Sequence, residues 1–450
     1  MGKSLSKSTT LMFLFDLIIL FLSTYIWSNF FGYSAKAVAL LCLLTVMVGL
    51  IVLYLKGNYK IREFNINFKN TYLLFEGIVM SHVLPGIYLL FFAASMTKSI
   101  NFLAVNILTI FVFLRLYRAF FHLYLFKIKK EKNILILGSD ERAKLIADEI
   151  QGKKALRMKV VGFIQGDRAE EEFAADNSLP VFKNITNLHT VIEQYNVDVV
   201  VIAQATELIV TIPRGVEIFK MPEFYELVTG KYYIDEKTIT ELYYQYATHR
   251  SFGYDFCKRV YDIIAALIIL IVTLPITGFT AIRIWLTDKG NPIYTQTRVG
   301  IGGKPFQCYK LRTMWANNYV PKEGKINENT AAINDDRVIP WCKFVRKARF
   351  DEIPQMINIL KGDMSIVGPR AEWEDLVNIY SKEIPYYSSR MWVKTGWTGW
   401  AQINQGHCVN SDDVTEKLQY DLYYLEHRNI FWEIAILVKA VFLALGGRHD

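Results

Sequence analysis

Four apolar runs occupy the first 121 residues of this chain: Leu11–Phe31, Lys36–Leu55, Tyr72–Ser95 and Phe102–Phe121. Each is about as long as a helix needs to be to cross the hydrocarbon core of a bilayer. A cleaved signal peptide would account for the first run alone. The alternative, buried core helices, would need four very long ones in succession without polar faces. The chain is therefore expected to be a membrane protein. Its 52% hydrophobic content and positive mean hydropathy of +0.19 agree with that.

Basic residues flanking the runs set an orientation. Lys3 and Lys7 precede the first run. Lys56, Lys60, Arg62 and Lys69 lie between the second and third, and Lys127, Lys129, Lys130 and Lys132 follow the fourth. The two opposite loops hold only Lys36 and Lys98. The positive-inside rule puts the basic side, and everything after Lys132, in the cytoplasm. The net charge of +8 largely reflects this collar and a second basic region further on. Anionic lipid headgroups are the simplest partner for both, and no arm for nucleic acid is present. The five cysteines (Cys42, Cys257, Cys308, Cys342 and Cys408) form no C-x-x-C pair and read as free thiols. No H-E-x-x-H or comparable spacing points to zinc.

From about Glu131 to Tyr246 short aliphatic runs alternate with helical patterns, as in "KNILILGSDERAKLIADEI", "MKVVGFI" and "VDVVVIA". This is the pattern of a small parallel-sheet domain. At its first turn, where a dinucleotide fingerprint needs glycines, stand Gly138, Asp140 and Ala143. A carboxylate in the middle position would repel pyrophosphate. A structural or self-association domain is therefore expected here rather than an NAD site, with a homodimer through this domain as the corresponding expectation.

A fifth apolar run, residues 258–286, is interrupted by Pro275 near its middle. An interior proline removes a hydrogen bond and kinks the axis. Lys258 and Arg259 precede the run, and Arg283 and Lys289 close it. Basic residues at both ends predict that both ends lie on the cytoplasmic face, so the run reads as a re-entrant, broken helix. A straight fifth span with a harmless kink is the alternative, and it would put the remaining chemistry outside.

Beyond this run the chain is polar and recurrently basic. Arg298, Lys304, Lys310, Arg312, Arg337, Arg346, Lys347, Arg349 and Arg370 give an electropositive environment. Gly300, Gly302 and Gly303 predict a tight turn. The segment "RFDEIPQMINIL" is the most telling. Pro354 fits only in a first helical turn, so a helix is expected to start close to Asp351. Asp351 and Glu352 would then lie at the positive end of its dipole, which favours their ionised forms. Plain capping explains such a pair equally well. The arginines nearby, and "VGPR" soon after, lean toward a phosphate site.

The stretches "GNPIYTQTRVGIGGKPFQCYKLRTM", "RFDEIPQMINILKGDMSIVGPRAE", "TGWTGWAQIN" and "EKLQYDLYYLEHRNIFWEIAILVKAV" together resemble the catalytic domain of the monotopic phosphoglycosyl transferases. These are bacterial enzymes that begin glycan assembly on a polyprenol carrier. The resemblance runs from about Phe252 to the C-terminus. The preceding helices and degenerate Rossmann-like domain resemble the large branch, the polyprenyl-phosphate hexose-1-phosphate transferases.

The implied reaction joins hexose-1-phosphate from a UDP-sugar to undecaprenyl phosphate and releases UMP, with Mg²⁺ as cofactor. Asp351 matches the family nucleophile, which carries a covalent phospho-sugar intermediate, and Glu352 matches its partner carboxylate. The two together match the metal ligands. Pro369 and Arg370 match a phosphate-contacting pair. Lys310 and Arg312 match a basic pair, with Arg298 beside them in the electropositive region. Asp421 matches a family acidic residue, and Gln402, followed by Ile403, lies in the "AQIN" motif.

Some positions depart from the family pattern. Arg349 stands where a small hydroxylic residue is usual, Cys342 where glycine is common, and Ala371 and Thr395 where proline is frequent.

The expected architecture is thus a membrane protein of α plus α/β class. Residues 1–130 form a four-helix transmembrane bundle, 131–248 a Rossmann-like domain, and 249–450 a monotopic α/β catalytic domain with a re-entrant helix over 258–286. The resemblance implies the bacterial cytoplasmic membrane and a first membrane step in exopolysaccharide, capsule or O-antigen assembly. Glucose or galactose is the expected sugar, with an N-acetylated UDP-sugar as the alternative. A reading from another class, a non-catalytic membrane-anchored scaffold or sensor, would have no need of Asp351, Glu352 and Arg370.

Overall fold

The computed structural model describes residues 7–55, 68–93, 95–128, 131–153, 157–165, 179–183, 188–203, 213, 215–248, 252–315, 337–406 and 410–446. Lys3, Lys56, Lys60, Arg62, Lys129, Lys130 and Cys408 lie outside the described residues. The chain divides into two compact units, Met1–Lys130 and Glu131–Asp450.

The first unit is helical. It comprises α1 (Lys7–Phe30), α2 (Ala35–Leu55), α3 (Phe68–Ser81), α4 (Val83–Phe92) and α5 (Met96–Ile128). Four stretches within it are long and apolar enough to cross a membrane: Met12–Phe30, Ala35–Leu53, Leu74–Phe92 and Met96–Phe120. The third apolar run is two helices rather than one. Its break falls at His82, which places Pro85 in the first turn of α4, where a missing N–H costs no helix hydrogen bond.

A polar network that the hydropathy profile does not reveal surrounds this break. His82 Nδ1 donates to the Ile78 carbonyl at 2.8 Å, and its Nε2 accepts from Asn106 at 3.0 Å. Asn106 also donates to Thr24 Oγ1 at 3.1 Å and accepts from Ser23 Oγ at 2.6 Å. Further along, Arg118 and Asp16 form a buried ion pair at 2.6 Å. Without water in the hydrocarbon core, polar side chains must satisfy one another, and that fixes helix register.

The second unit begins with β1 (Lys132–Leu137), α6 (Glu141–Gly152), β2 (Met158–Gln165), β3 (Val181–Lys183), α7 (Leu188–Gln194), β4 (Val199–Ile202) and β5 (Glu217–Lys220). The strands form a parallel sheet in the order β3-β2-β1-β4-β5. Asp140 caps α6, accepting from Ala143 N at 3.0 Å. Its carboxylate therefore sits at the helix N-terminus where a pyrophosphate would otherwise bind. Helices α8 (Met221–Thr229) and α9 (Glu236–Thr248) lead to α10 (Phe252–Asp288).

The remaining elements build the site. A hairpin of β6 (Ile293–Val299) and β7 (Pro305–Leu311) closes through the glycine turn, where Gly302 and Gly303 adopt φ of 65° and 76°. Then come α11 (Cys342–Lys347), α12 (Gln355–Lys361), β8 (Ser365–Val367), α13 (Glu374–Glu383), β9 (Gly396–Thr398), α14 (Trp400–Asn404), α15 (Ser411–His427) and α16 (Ile430–Gly446). The parallel-sheet part docks on this region. Trp400 Nε1 donates to the Gly230 carbonyl at 3.0 Å, and Tyr232 N donates to the Gln419 carbonyl at 3.0 Å.

Both ends of α10 attach to the same body. Near its start, Arg259 donates to the carbonyls of Ile359 and Leu360 at 2.6 and 2.7 Å, capping α12 from below. One turn on, Asp262 Oδ1 accepts from Ser365 Oγ and Ile366 N, each at 3.0 Å. Near its end, Ile284 is buried with Leu311, Val338, Ile339 and Cys342, and the Arg283 guanidinium lies 4.3 Å from the Trp341 ring centre. Between these anchors the helix presents bare apolar surface, with Ile271 and Val272 about 70% exposed. The helix is continuous through Pro275 rather than broken there; Pro275 lies in this exposed stretch, flanked by Thr273 and Thr277, whose hydroxyls donate to the carbonyls of Ile269 and Thr273. Proline and back-bonding threonines both favour bending of a helix.

The last apolar run, α16, packs one face inward. Trp432 and Glu433 are buried, and Lys258 bridges Glu433 to Asp262. Val438 and Val441 remain exposed on the other face.

Candidate active site

Arg349 adopts a left-handed conformation with φ of 55°, which a side-chain-bearing residue rarely takes. That turn redirects the chain out of α11 and into a short 3-10 turn, Phe350–Glu352. The dyad lies on this turn and not in the helix that follows, which starts only at Gln355. Pro354 precedes the helix, as the ring requires.

The two carboxylates are in different electrostatic situations. Glu352 Oε1 accepts from Lys310 Nζ at 3.1 Å and from Arg370 Nη2 at 3.0 Å. Burial alone would push the Glu352 carboxyl up, but Arg370 and Lys310 outweigh it and hold the group well below the usual carboxylate range. Asp351 is raised to about 6, first by burial and then by the charge of Glu352; Lys310 and Arg346 only partly offset this. The dipole argument from the sequence favoured two ionised groups. In the folded chain Glu352 is secured as an anion, while burial and the Glu352 charge raise Asp351 above the ordinary carboxylate range.

Three of the sequence-selected residues, Lys310, Glu352 and Arg370, thus meet in one ion-paired cluster with Asp351 beside them. Arg298 lies next to it but is directed elsewhere. Its Nη1 donates to the Ala371 carbonyl at 2.8 Å and its Nη2 to Gln296 Oε1 at 2.9 Å, and only 8% of the residue is exposed. Arg312 is turned to the carbonyls of Asn291 and Met314. Asp421 is buried against Arg390, with contacts of 2.9 and 2.7 Å. Gln402 of α14 donates through Nε2 to the Trp397 carbonyl of β9 at 3.4 Å, and Ile403 is buried.

The glycines of "VGPR" and "TGWTGW" have a structural reason. A Cβ on Gly396 would come within 2.1 Å of Gly368 N, and one on Gly399 within 2.2 Å of the Gly368 carbonyl. These backbones therefore approach as closely as only glycine permits. The approach lets Gly396 N donate to the Pro369 carbonyl at 2.8 Å, which aims Arg370 at Glu352.

Residues with no motif-like spacing complete the surroundings. Arg390, Glu372 and Lys417 form a second buried charge cluster with Asp421. Lys417 and Glu372 are in direct contact, and Arg390 Nη1 lies 3.9 Å from Glu372. Burial would raise Glu372, but Lys417 and Arg390 bring it down to about 2. The pairs are 31 and 45 residues apart in the chain, so no local pattern could have announced them.

The bacterial sugar transferase family model matches residues 253–447, and a CoA-binding domain model matches residues 54–220. A UDP-N-acetylgalactosamine-undecaprenyl-phosphate N-acetylgalactosaminephosphotransferase of Aeromonas hydrophila is 34% identical over 232 residues, covering 52% of this chain and 53% of the relative. An undecaprenyl-phosphate galactose phosphotransferase of Salmonella typhimurium is 29% identical, covering 70% of this chain and 68% of the relative. A UDP-glucose:undecaprenyl-phosphate glucose-1-phosphate transferase of Caulobacter vibrioides is 34% identical, covering 42% of this chain and 69% of the relative. The chain belongs to the bacterial sugar transferase family. The matched region contains every residue of the dyad and its cations, while the Aeromonas relative is covered over only about half its length.

The donor set suits a hard divalent cation. Mg²⁺ favours carboxylate oxygens together with substrate phosphates. Asp351 is a half-buried carboxylate whose charge is disfavoured by desolvation and by the neighbouring Glu352 anion. Such a group gains from a nearby cation. Glu352 Oε1 is already shared by two cationic side chains.

Proposed function

We propose that this protein transfers hexose-1-phosphate from a UDP-hexose, glucose or galactose, to undecaprenyl phosphate with release of UMP. The observation that carries the reading is the division of labour in the dyad. One carboxylate is fixed by Lys310 and Arg370, and its neighbour, raised by burial and by the Glu352 charge, forms no ion pair among the described residues.

An Asp351 oxygen attacks the sugar-bearing phosphorus of the donor. The bond from that phosphorus to the bridging oxygen breaks, and UMP leaves with the electron pair. A lipid phosphate oxygen then attacks the same phosphorus, and the bond to Asp351 breaks. The carboxylate is restored and the lipid carries a diphosphate-linked sugar, a two-step covalent scheme.

Arg370 and Lys310 hold Glu352 in place and supply positive charge beside the phosphoryl group, which is what this chemistry chiefly needs. Asp351 and Glu352 are the residues that would hold Mg²⁺, which would supply charge neutralisation there. Asp351 reacts as its carboxylate, the form that both the cationic side chains and a bound cation favour.

The reading includes a re-entrant α10 with the catalytic region on the cytoplasmic face. A 37-residue helix is about 55 Å long if straight, against a bilayer core of about 30 Å. What supports re-entry is that both of its ends are anchored on one body, with the exposed apolar stretch and Pro275 between them. An N-acetylated sugar is the second reading, favoured by the N-acetylgalactosamine relative.

UMP release from a panel of UDP-sugars, with undecaprenyl phosphate and Mg²⁺, tests the proposal in wild type and Asp351→Asn. One sugar should give UMP, and the substitution should abolish it. No UMP from any sugar with a folded membrane preparation would favour a scaffold role.

A further inference from the structure

Four consecutive carbonyls around Arg370 are each held by a different donor. Pro369 O accepts from Gly396 N at 2.8 Å, and Arg370 O from Arg390 Nη2 at 3.0 Å. Ala371 O accepts from Arg298 Nη1 at 2.8 Å, and Glu372 O from Val299 N at 3.0 Å. This segment belongs to no helix or regular strand, so its shape depends on these four bonds. Two of them come from guanidinium groups that are almost fully buried.

Arg390 differs from Arg298 in how its charge is accommodated. It is 3% exposed, meets Asp421 Oδ2 through both Nε and Nη2, and donates through Nη1 to the Tyr387 hydroxyl at 2.8 Å. A buried guanidinium is costly unless paired and hydrogen-bonded, and here each of its three nitrogens has a partner. Asp421 projects from α15, one turn after Lys417, which holds Glu372. One helix thus sets both ends of the segment that presents Arg370.

We propose that Arg390, locked by Asp421, is a positioning residue for Arg370: by holding the Arg370 carbonyl it fixes where the Arg370 guanidinium meets Glu352 and the donor diphosphate. The catalytic part of this inference rests on the transferase reading above. Arg390 is 3% exposed, so its part is to act through the Arg370 backbone.

Removing one member of a buried pair is strongly destabilising, so the test removes both. Arg390→Met with Asp421→Leu takes away the charges together, a change that buried pairs often tolerate, and leaves the Arg370 carbonyl without its donor. Arg390→Lys is the second variant. It keeps the charge, but a single ammonium cannot reach Asp421, Tyr387 and the Arg370 carbonyl in one geometry.

Two readouts are made on the full chain in lipid nanodiscs. The first is the burst of UMP without lipid acceptor, whose amplitude counts folded sites and whose rate reads the first chemical step. The second is amide hydrogen exchange of residues 370–372, which needs no activity. The double variant should keep the burst amplitude and lose about 10- to 100-fold in burst rate, the scale expected of a small misplacement. Its exchange should quicken at least about tenfold, the equivalent of roughly 1.4 kcal/mol in local opening. Arg390→Lys should move both in the same direction by less, and it decides the matter alone if the double variant does not fold.

Unchanged exchange overturns the inference whether or not the wild type is active. A burst rate within twofold of an active wild type also overturns it. A wild type silent with every UDP-sugar defeats the transferase reading instead, while the exchange result still decides the positioning.

Discussion

Replacing Asp351 and Glu352 by their amides should move stability in opposite directions, although the two residues are adjacent. Glu352→Gln removes the anion beneath Lys310 and Arg370 and leaves both cations without it. Breaking a buried pair in this way costs about 3–5 kcal/mol. The Arg370 side chain is 34% exposed, so water recovers part of that, and about 2–3 kcal/mol is expected. Asp351→Asn removes a charge that the fold disfavours. The carboxyl is raised from 3.8 to about 6, and at about 1.4 kcal/mol per unit the penalty at neutral pH is up to about 3 kcal/mol.

The pH dependence separates the two effects. Asp351 has a folded pKa above its unfolded value, so native stability falls as pH rises from about 4 to about 6. The asparagine variant lacks that loss and gains on wild type above pH 6. Glu352 has a depressed folded pKa, so its contribution is present above about 4.5 and fades as pH falls below it. Thermal unfolding followed by tryptophan fluorescence, at pH 7.5 and pH 4.5, reads both. One kcal/mol corresponds to about 2–4 °C in a domain of this size range. At pH 7.5 Glu352→Gln should therefore unfold about 4–12 °C below wild type and Asp351→Asn a few degrees above it. Two shifts of the same sign, or a glutamine variant as stable as wild type, would refute this electrostatic account of the dyad.

Other predictions are more compact. The rate of the first chemical step should fall about tenfold per pH unit on acidification below about 6, as Asp351 takes up its proton; a rate flat down to pH 5 would show that no such group is titrating. Gly396→Ala should cost about 3 kcal/mol or more, since the new Cβ meets backbone on both strands, whereas Gly302→Ala, with open space but φ of 65°, should cost about 1–2 kcal/mol. Equal destabilisation by the two alanines would count against the close-approach argument. The exposed thiol of Cys257 and a thiol placed by Lys289→Cys should react with an impermeant maleimide from the same side of oriented vesicles; labelling from opposite sides would mean that α10 crosses.

What could be read in advance depended on whether the information was local. Hydropathy over some twenty residues announces each apolar run, because insertion into lipid sums over a whole helix. The same sum hides Asp16, His82, Asn106 and Arg118, which bond across helices from positions 24 to 102 residues apart. Pro85 carried a visible sign of the break at His82, but it sat inside an otherwise unbroken apolar stretch. At the dyad, Pro354 correctly limited where the helix could begin. It could not convey that Arg349 takes a left-handed turn and moves Asp351 and Glu352 onto a separate 3-10 turn. Nor could it convey that burial outweighs the helix dipole at Asp351. The glycines of "VGPR" and "TGWTGW" were legible as motifs but not as partners, because the clash that requires them is between two distant backbones. Arg390 stood alone in "SSRMW", and only the fold brings it to Asp421.

The central claim is that Asp351 forms a bond to the phosphorus of the donor. Incubation of the purified protein with a UDP-sugar labelled in its sugar, without lipid acceptor, tests it most directly, followed by peptide mapping under mild conditions. One sugar phosphate per chain should appear on the peptide carrying Asp351, released as UMP forms, and should pass to undecaprenyl phosphate when that is added. Transfer that proceeds only with the lipid already present, with no labelled peptide at any time, would contradict the account.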